Sequence, residues 1–395
     1  MLEATTMTEK KTIPTTAKAK DAKAKEPRAP KKPKRRVSTK ERTVDKTIDI
    51  NVGIDLGDKY SQICEIDGDG VLTEVRLATT ESKLREQFEG KPRRRIIMEV
   101  GSQSRWISEL LTSFGHEVLV LDARHVKMIS DGLYKDDRKD AFLLARMGRE
   151  APGLLKVVHH RALDHQHVLT LVRARACAVR GRTQVVNTLR GLLKPYGIRL
   201  PKHSKSSDFL LWMYDFVPPP VLKLIEPLLP LLQEFDIRVD EYDKQAKAML
   251  PTFAPHAMKL TNVYGVGDLT VLYFVALIGD PKRFPKSRDV GAYLGLCRRR
   301  NDSGERASEL RITKAGDPYM RALLSNCASH ILGPFGKDCD LRAWGLKKAG
   351  AGSRVEKRKA KVAVARKLSV LLLTLLKSGK DYKPFRDPPA DQAQA

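Results

Sequence analysis

Four acidic residues, Asp55, Glu99, Asp137 and Asp140, stand where carboxylates can work together. The stretch "VGIDLGDKYSQICEID" (52–67) reads as a strand, a turn and a returning strand, with Asp55 ending the first strand. Glu99 ends a second apolar run, "RRIIMEV". Asp137 and Asp140 lie in "YKDDRKDAFLLARM" at a spacing that puts both carboxylates on one helix face. If the two strands are neighbours, Asp55 and Glu99 meet at one sheet edge and the helix closes over them. Four hard oxygen donors around a cleft suit magnesium, or manganese in its place. Two such ions about 3.5–4 Å apart activate a nucleophile and stabilise the leaving oxygen in phosphoryl transfer. Each carboxylate also has an ordinary role open to it. A strand-end aspartate is common, Asp137 or Asp140 can cap the helix or face solvent, and Asp136 competes from the same first turn.

A different chemistry lies far downstream. Ser303 sits in "RRRNDSGERASELRITKAGD", beside Gly304, which permits close approach of a backbone. Arg298, Arg299, Arg300, Arg306, Arg311 and Lys314 flank it. A hydroxyl ringed by guanidinium groups can attack a phosphodiester while the arginines hold its non-bridging oxygens. On sequence chemistry alone a turn serine in a basic loop is the plainer reading, and Ser308 is a second candidate nucleophile. No histidine lies nearby in sequence to complete a Ser-His-Asp arrangement. Histidines cluster instead at His159, His160, His165 and His167, where only His160 and His167 share a helical face, a weak pattern for a metal.

The elements that must position these groups follow from periodicity. From about 48 to 150, "TIDINVGID", "SQICEID" and "GVLTEVRLAT" read as three strands in series. Then "ESKLREQFEG", "RRRIIMEV", "SRWISELLTSFG", "HEVLVLD" and "DRKDAFLLARMGRE" alternate helix and strand. This order predicts an α/β domain, a mixed sheet covered by helices. From about 160 to 255 the chain turns helical. Between His165 and Ser207 there is no acidic residue, so Arg173, Arg175, Arg180, Arg182 and Arg190 are candidates to follow a phosphate backbone. A helix over about 221–249 places Leu222, Ile225, Leu229 and Leu232 on a short coiled-coil seam, either an intramolecular helical hairpin or a dimer contact. In "LTNVYGVGDLTVLYFVALIGDPKRF" a helix, a Gly-x-Gly hairpin and a helix follow one another, and the backbone N–H groups around Gly265 and Gly267 can grip a phosphate. Arg299, Arg300, Arg306, Arg311 and Lys314 extend that basic surface, and "RVEKRKAKVAVARKLSVLLLTLLKSG" reads as a basic helix.

The expected segments are a basic disordered tail at 1–47, the sheet domain at 48–158 and a basic helical, coiled-coil segment at 159–255. A serine-containing domain at 256–345, a basic helix at 346–380 and a disordered tail at 381–395 complete the chain. Lys and Arg total 73 against 47 Asp and Glu, a formal charge of +26 over 395 residues, which favours a polyanionic partner. The first 47 residues hold 15 basic and 6 acidic side chains, so most of the excess lies on the folded part. No apolar run reaches the roughly 20 residues of a membrane span, and the opening "MLEATTMTEKK" lacks the apolar core of a secretion signal. Five scattered cysteines without a C-x-x-C pair fit a reducing cytoplasm.

"GIDLG" resembles the first phosphate loop of actin-like ATPases and sugar kinases, but only "IDGDG" and "SDGLY" are present to serve as the second loop such proteins need. A fuller match is carried by order. "GID" with Asp55, "MEV" with Glu99, then "KDDRKDA" with Asp137 and Asp140 resembles the RuvC-like DEDD domain of the insertion-sequence-one-hundred-ten transposase family, which includes bridge-RNA-guided recombinases. Downstream, "YGVGDLTVLYFVALIGDPKRF", "AYLGL" and "SGERASELRITKAGDPYMRALL" look like that family's second domain, and the resemblance spans roughly 48–380. It implies a ribonuclease-H-like, RuvC-like fold, with Mg²⁺ held by Asp55, Glu99, Asp137 and Asp140. It implies that Ser303 is the nucleophile that forms a covalent link to DNA. It also implies a homodimer or homotetramer in which one subunit's carboxylates meet another's serine, and a structured, element-encoded guide RNA that selects the DNA. The chain departs from the family at Tyr264 and Cys297, where proline is usual, and in its basic tail. Two other functions compete: a metal-dependent nuclease acting on four-way junctions, and a nucleic-acid-binding scaffold without chemistry.

Overall fold

The computed structural model describes residues 45, 47–122, 136–201, 206–299, 302–303, 306–307 and 310–386. The expected basic tail, apart from Asp45 and Thr47, and the terminal stretch 387–395 lie outside them, as do Arg300, Gly304, Ser308 and the loop containing "SDGLY". The chain divides into two units, one ending at Val158 and the other beginning at His159.

In the first unit, strands β1 (Asn51–Asp55), β2 (Tyr60–Ile66), β3 (Leu72–Ala78), β4 (Arg95–Glu99) and β5 (Glu117–Leu121) form one sheet in the order β3-β2-β1-β4-β5. β1 pairs antiparallel with β2, and β2 with β3, whereas β1–β4 and β4–β5 are parallel. The parallel pairs need crossovers, and helices α1 (Glu81–Phe88) and α2 (Ser104–Ser113) supply them. Gly115, at φ +90°, turns the chain after α2 into β5. The third helix, α3 (Asp137–Glu150), follows β5.

Alternation along the strands sorts the side chains between two faces. Val52, Ile54, Ile96, Met98 and Val120 pack with Leu84 and Phe88 of α1 and Ile107 and Leu111 of α2. On the other face Ile97, Leu119 and Leu121 meet Leu144 and Met147 of α3, and Cys64 and Ile66 meet Ala141 and Ala145. The sheet is therefore covered on both faces, and its central strands read as continuous apolar runs. Edge strand β3 is mostly exposed and carries Glu74 and Arg76, charges that discourage edge-to-edge pairing. His116 ties three segments together. Its Nδ1 accepts from the Arg94 backbone N–H at 3.2 Å, and its Nε2–H donates to the Phe88 carbonyl at 3.0 Å.

The second unit is mainly helical. Helix α4 (Leu163–Leu193) packs along α7 (Leu229–Phe253), with α5 (Ser206–Phe216) and the short α6 (Pro219–Ile225) between them in sequence. Close packing is possible at Gly181, where a Cβ would lie 2.4 Å from Cζ of Phe235. The single helix expected over 221–249 is interrupted by a 3₁₀ turn at Glu226–Leu228. Pro227 lacks an N–H and Pro230 begins the next helix, so the chain restarts there. Ile225, Leu229 and Leu232 of the expected seam are buried within this unit, against Val186, Leu189 and Leu193 of α4 and Phe209 and Met213 of α5, with Leu222 half-buried beside them.

A second core surrounds α8 (Asp268–Ile278), whose residues from Thr270 to Ile278 are all buried. A helix apolar all round belongs in a core. Val168 and Val172 of α4, Leu250 of α7, and residues of α10 (Pro318–Leu332) and α12 (Arg354–Ser378) enclose it. The short α9 (Val290–Tyr293) precedes α10, and α11 (Asp340–Ala349) precedes α12. The segment before the Gly-x-Gly turn is a 3₁₀ helix, Pro255–Asn262, rather than an α-helix. Residues 381–386, expected within the trailing tail, instead pack on α11: the Asp340 N–H donates to the Pro384 carbonyl and the Arg386 N–H to the Asp340 carboxylate, each at 3.0 Å. Among the described residues, no helix is long and apolar enough to cross a membrane.

Candidate active site

β1 and β4 run parallel in the register Asn51↔Arg95 to Ile54↔Met98. Asp55 and Glu99 follow the last of these pairs, so both stand at the same end of adjacent central strands. Their face follows from their neighbours two residues back. Gly53 faces α3, because a Cβ there would fall 1.9 Å from the Ala141 carbonyl oxygen. Ile97 also faces α3, with its Cδ1 2.1 Å from where a Cβ on Gly148 would be. Asp55 and Glu99 share those faces by the period of two.

Those two glycine contacts also give the direction of α3. Ala141 lies over Gly53, while Gly148 lies near Asn51 and Ile97, so the helix runs antiparallel to β1 and its first turn lies toward the strand ends. Asp137 precedes Ala141 by four residues, about 6 Å of helix. Asp55 follows Gly53 by two, about 6.6 Å of strand. The helix start is therefore nearly level with the aspartate. Asp136 is the N-cap, with its carboxylate accepting from the Arg138 N–H at 3.1 Å. That leaves Asp137 and Asp140 as the acidic residues of the first turn, where the helix dipole favours negative charge.

Asp55, Glu99 and Asp140 are half-buried and Asp137 is exposed. Asp55 and Glu99 are both engaged by other groups. Among the described residues, no three His, Cys, Asp or Glu side chains lie close enough together to hold a metal ion. The backbone thus collects four carboxylates at one end and on one face of the sheet, without drawing their oxygens to a common point. As a donor set they suit a hard divalent cation.

Ser303 belongs to the second unit. β6 (Asp302–Ser303) pairs antiparallel with β7 (Arg306–Ala307), in the register Ser303↔Arg306. The pairing continues toward the body of the unit. Arg298 bridges to Ile312, and backbone N–H groups of Arg299 and Thr313 donate to the carbonyls of Arg311 and Cys297. Ser303 is thus carried on a short β-hairpin, where the sequence suggested only a turn in a basic loop. At its base Lys314 has φ +56° and donates its N–H to the Gly295 carbonyl.

Several arginines of the basic helix have partners within the unit. Arg175 makes a two-pronged bond to Asp243 at 2.5 and 2.8 Å, and Arg182 meets Asp236 at 2.8 Å, both joining α4 to α7. Arg173 lies 3.5 Å from Asp317, whose carboxylate also accepts from Tyr273 at 3.0 Å. Burial, then the Asp317 charge, pushes the Tyr273 hydroxyl up to about 12. Arg190 donates to the Pro201 carbonyl at 2.6 Å, and Arg180 is exposed. Gly265, at φ +76°, lies where a Cβ would meet Ile331 of α10 at 2.7 Å, and Gly267 is the N-cap of α8. Of the clustered histidines, His165 contacts the Ala276 carbonyl at 3.2 Å and the edge of Phe253.

The mixed sheet in its order, with acidic residues at one end of the central strands, is consistent with a ribonuclease-H-like, RuvC-like α/β domain. Residues 52–198 match the model of the DEDD transposases of the IS110 type, and residues 257–337 match that of the IS116/IS110/IS902 transposase family. The chain is 25% identical over 350 residues to the transposase for insertion sequence element IS1111A of Coxiella burnetii, covering 85% of this chain and 92% of that one. A probable family 20 transposase of Pseudomonas aeruginosa is 26% identical, over 84% of this chain and 98% of its own. The transposase for insertion sequence element IS1328 of Yersinia enterocolitica is 25% identical, over 70% and 82%. The chain belongs to the IS110 family of insertion-sequence transposases. Membership makes DNA its partner, cleavage and rejoining of DNA its class of reaction, and a divalent cation its expected cofactor.

Proposed function

We propose that this chain moves an insertion sequence by DNA strand exchange, using Asp55, Glu99, Asp137 and Asp140 as ligands for Mg²⁺ and Ser303 as nucleophile. The observation that carries the reading is the common end and common face of β1, β4 and the first turn of α3. The cation, when bound, would supply charge stabilisation to phosphate oxygens in the transition state. The chain's residues do the rest. Ser303 Oγ attacks the phosphorus, its P–O bond forms as a strand P–O bond breaks, and the leaving oxygen takes up a proton. The phosphoserine ester conserves the bond, so the reverse attack by another strand end rejoins DNA without an external energy source.

The excess positive charge of the folded part suits a polyanionic partner, RNA as well as DNA. A structured RNA from the same element fills that role and selects donor and target, and the protein works in the cytoplasm as a homodimer or homotetramer. The test is strand exchange between donor and target DNA with the element's flanking RNA present. Asp55→Asn and Ser303→Ala are each expected to lower the rate at least about a thousandfold, with Mn²⁺ binding, read by electron paramagnetic resonance, weakened only in the first. Full exchange by Ser303→Ala would remove the covalent step. Nicked junctions that still form without Ser303 would point to a nuclease.

A further inference from the structure

The second unit contains a cleft of about 2270 Å³, remote in sequence from the acidic residues Asp55, Glu99, Asp137 and Asp140. One wall is the base of the Ser303 hairpin, and the others are α11, α12 and residues 382–386. Arg299, Arg311 and Lys314 line it from the hairpin, and Lys348, Arg366 and Lys367 from the helices. The two acidic residues in the lining are already engaged. The Glu356 carboxylate accepts from the Ser353 N–H at 2.7 Å in a capping box, and that of Asp340 accepts from the Arg386 N–H at 3.0 Å. The cleft is therefore a concentration of positive charge without matching negative charge.

Trp344 gives this charge a fixed place. The Lys367 ammonium stands 3.8 Å from the centroid of its ring, and Lys348 stands 6.0 Å away. A cation held over an indole face keeps its hydrogen-bond donors available, whereas one paired with a carboxylate does not. Burial, then the nearby Arg386 charge, lowers the Lys367 ammonium below the usual lysine range, as expected where cations crowd together. Lys314 adds a second sign of function, a non-glycine residue held at φ +56° on the cleft wall.

We infer that this cleft binds the sugar–phosphate backbone of a nucleic-acid strand and leads it to the Ser303 hairpin. From Arg358 to Lys367, both in the lining, α12 advances about 13 Å, several times the roughly 3.4 Å axial spacing of phosphates in one strand of a duplex and so long enough for more than one phosphate. A row of cations on that scale suits a chain of phosphates better than one small anion, and a flat membrane surface cannot enter between the walls. The apolar residues in the lining, among them Leu296, Ile312, Leu341 and Val370, suit sugar edges between the charges. The inference deepens the strand-exchange reading by naming where a strand lies in the second unit.

The test is equilibrium binding by the full chain, read as fluorescence anisotropy over a range of NaCl concentrations. The probes are a single-stranded DNA, a single-stranded RNA of matching sequence, and the DNA duplex. Substituting Arg366→Gln with Lys367→Gln is expected to weaken binding about tenfold or more at 150 mM salt, for whichever probe uses the cleft. It should also reduce the slope of log K against log salt by about 0.7 to 0.9 per lost phosphate contact. Lys83→Gln, on exposed α1, serves as the control and should change neither. Trp344→Leu should weaken binding when Lys367 is present and add little in the Lys367→Gln background, which separates placement of the ammonium from a general structural effect. Unchanged affinity and salt slope for all three probes in the Arg366→Gln, Lys367→Gln variant would overturn the inference. Binding by the parent protein that depends on the cleft cations, with no strand exchange, would count against the strand-exchange reading and leave the cleft standing, so the two are read separately.

Discussion

The two proposed chemical centres of this chain are supported in different ways. Asp55 and Glu99 end central strands that are hydrogen-bonded on both sides and covered on both faces, with α3 pressed against β1 at Gly53. Ser303 ends a two-residue strand that, among the described residues, pairs only with β7, on a hairpin tied to the body of its unit at Arg298–Ile312 and Gly295–Lys314. Ligands for a cation must keep their spacing in every turnover, and the ends of paired central strands suit that. A nucleophile that must meet phosphorus on one strand and release it to another is better served by a projection from the scaffold.

Substitutions that act on one side of this comparison should leave the other intact. The largest effect is expected at Gly53. An alanine Cβ would meet the Ala141 carbonyl oxygen, a backbone atom that cannot turn aside, so Gly53→Ala should cost the first unit about 3 kcal/mol in chemical denaturation. The same change at Gly148 meets the Cδ1 and Cγ1 atoms of Ile97, a side chain rather than backbone, and should cost less, about 1–2 kcal/mol. Equal costs would mean that α3 is not seated on β1 through Gly53.

Acid should loosen the sheet unit next. Burial holds His116 below its ordinary range, so in the folded state it stays neutral where the unfolded chain takes up a proton. The unfolded state then binds more protons, and stability falls as pH drops through about 6.5 toward the folded value, by at most about 1.4 kcal/mol per pH unit. A denaturation series from pH 7.5 to 5 checks this, and His116→Gln should flatten it. The smallest effect belongs to the hairpin. Lys314→Gly relieves the left-handed backbone at φ +56° but loosens the unfolded chain, so stability should change by less than about 1 kcal/mol while nucleic-acid binding weakens. A large loss of stability there would place the hairpin among the rigid elements.

Much of the first unit was legible in the sequence, because its strands and helices obey simple periods. The runs ending in Asp55 and Glu99, the helix closed by Gly115, and the acidic start of α3 are all local patterns. The second unit was less legible. An unbroken basic helix suggested a phosphate-binding face, yet Arg175 and Arg182 reach Asp243 and Asp236, more than fifty residues away. No local pattern reports such a partner. Pro227 and Pro230 did carry a local signal for the break near 226, which the apolar spacing of Leu222 to Leu232 obscured. The cleft between the hairpin base and α12 had no local signal, because its walls come from segments that are only basic in sequence.

By itself the sequence determined which residues alternate, which stretches turn, and that four carboxylates and one serine stand at the ends of elements. Those properties depend on neighbours two to four positions apart, where backbone geometry acts directly. Only the tertiary structure decided that β4 lies parallel beside β1, that α3 crosses the sheet antiparallel with its acidic turn at the strand ends, and which cations face a cleft rather than a carboxylate. Those outcomes depend on packing between distant segments. There a glycine without a side chain, or an aspartate across a helix pair, sets the approach of one element to another.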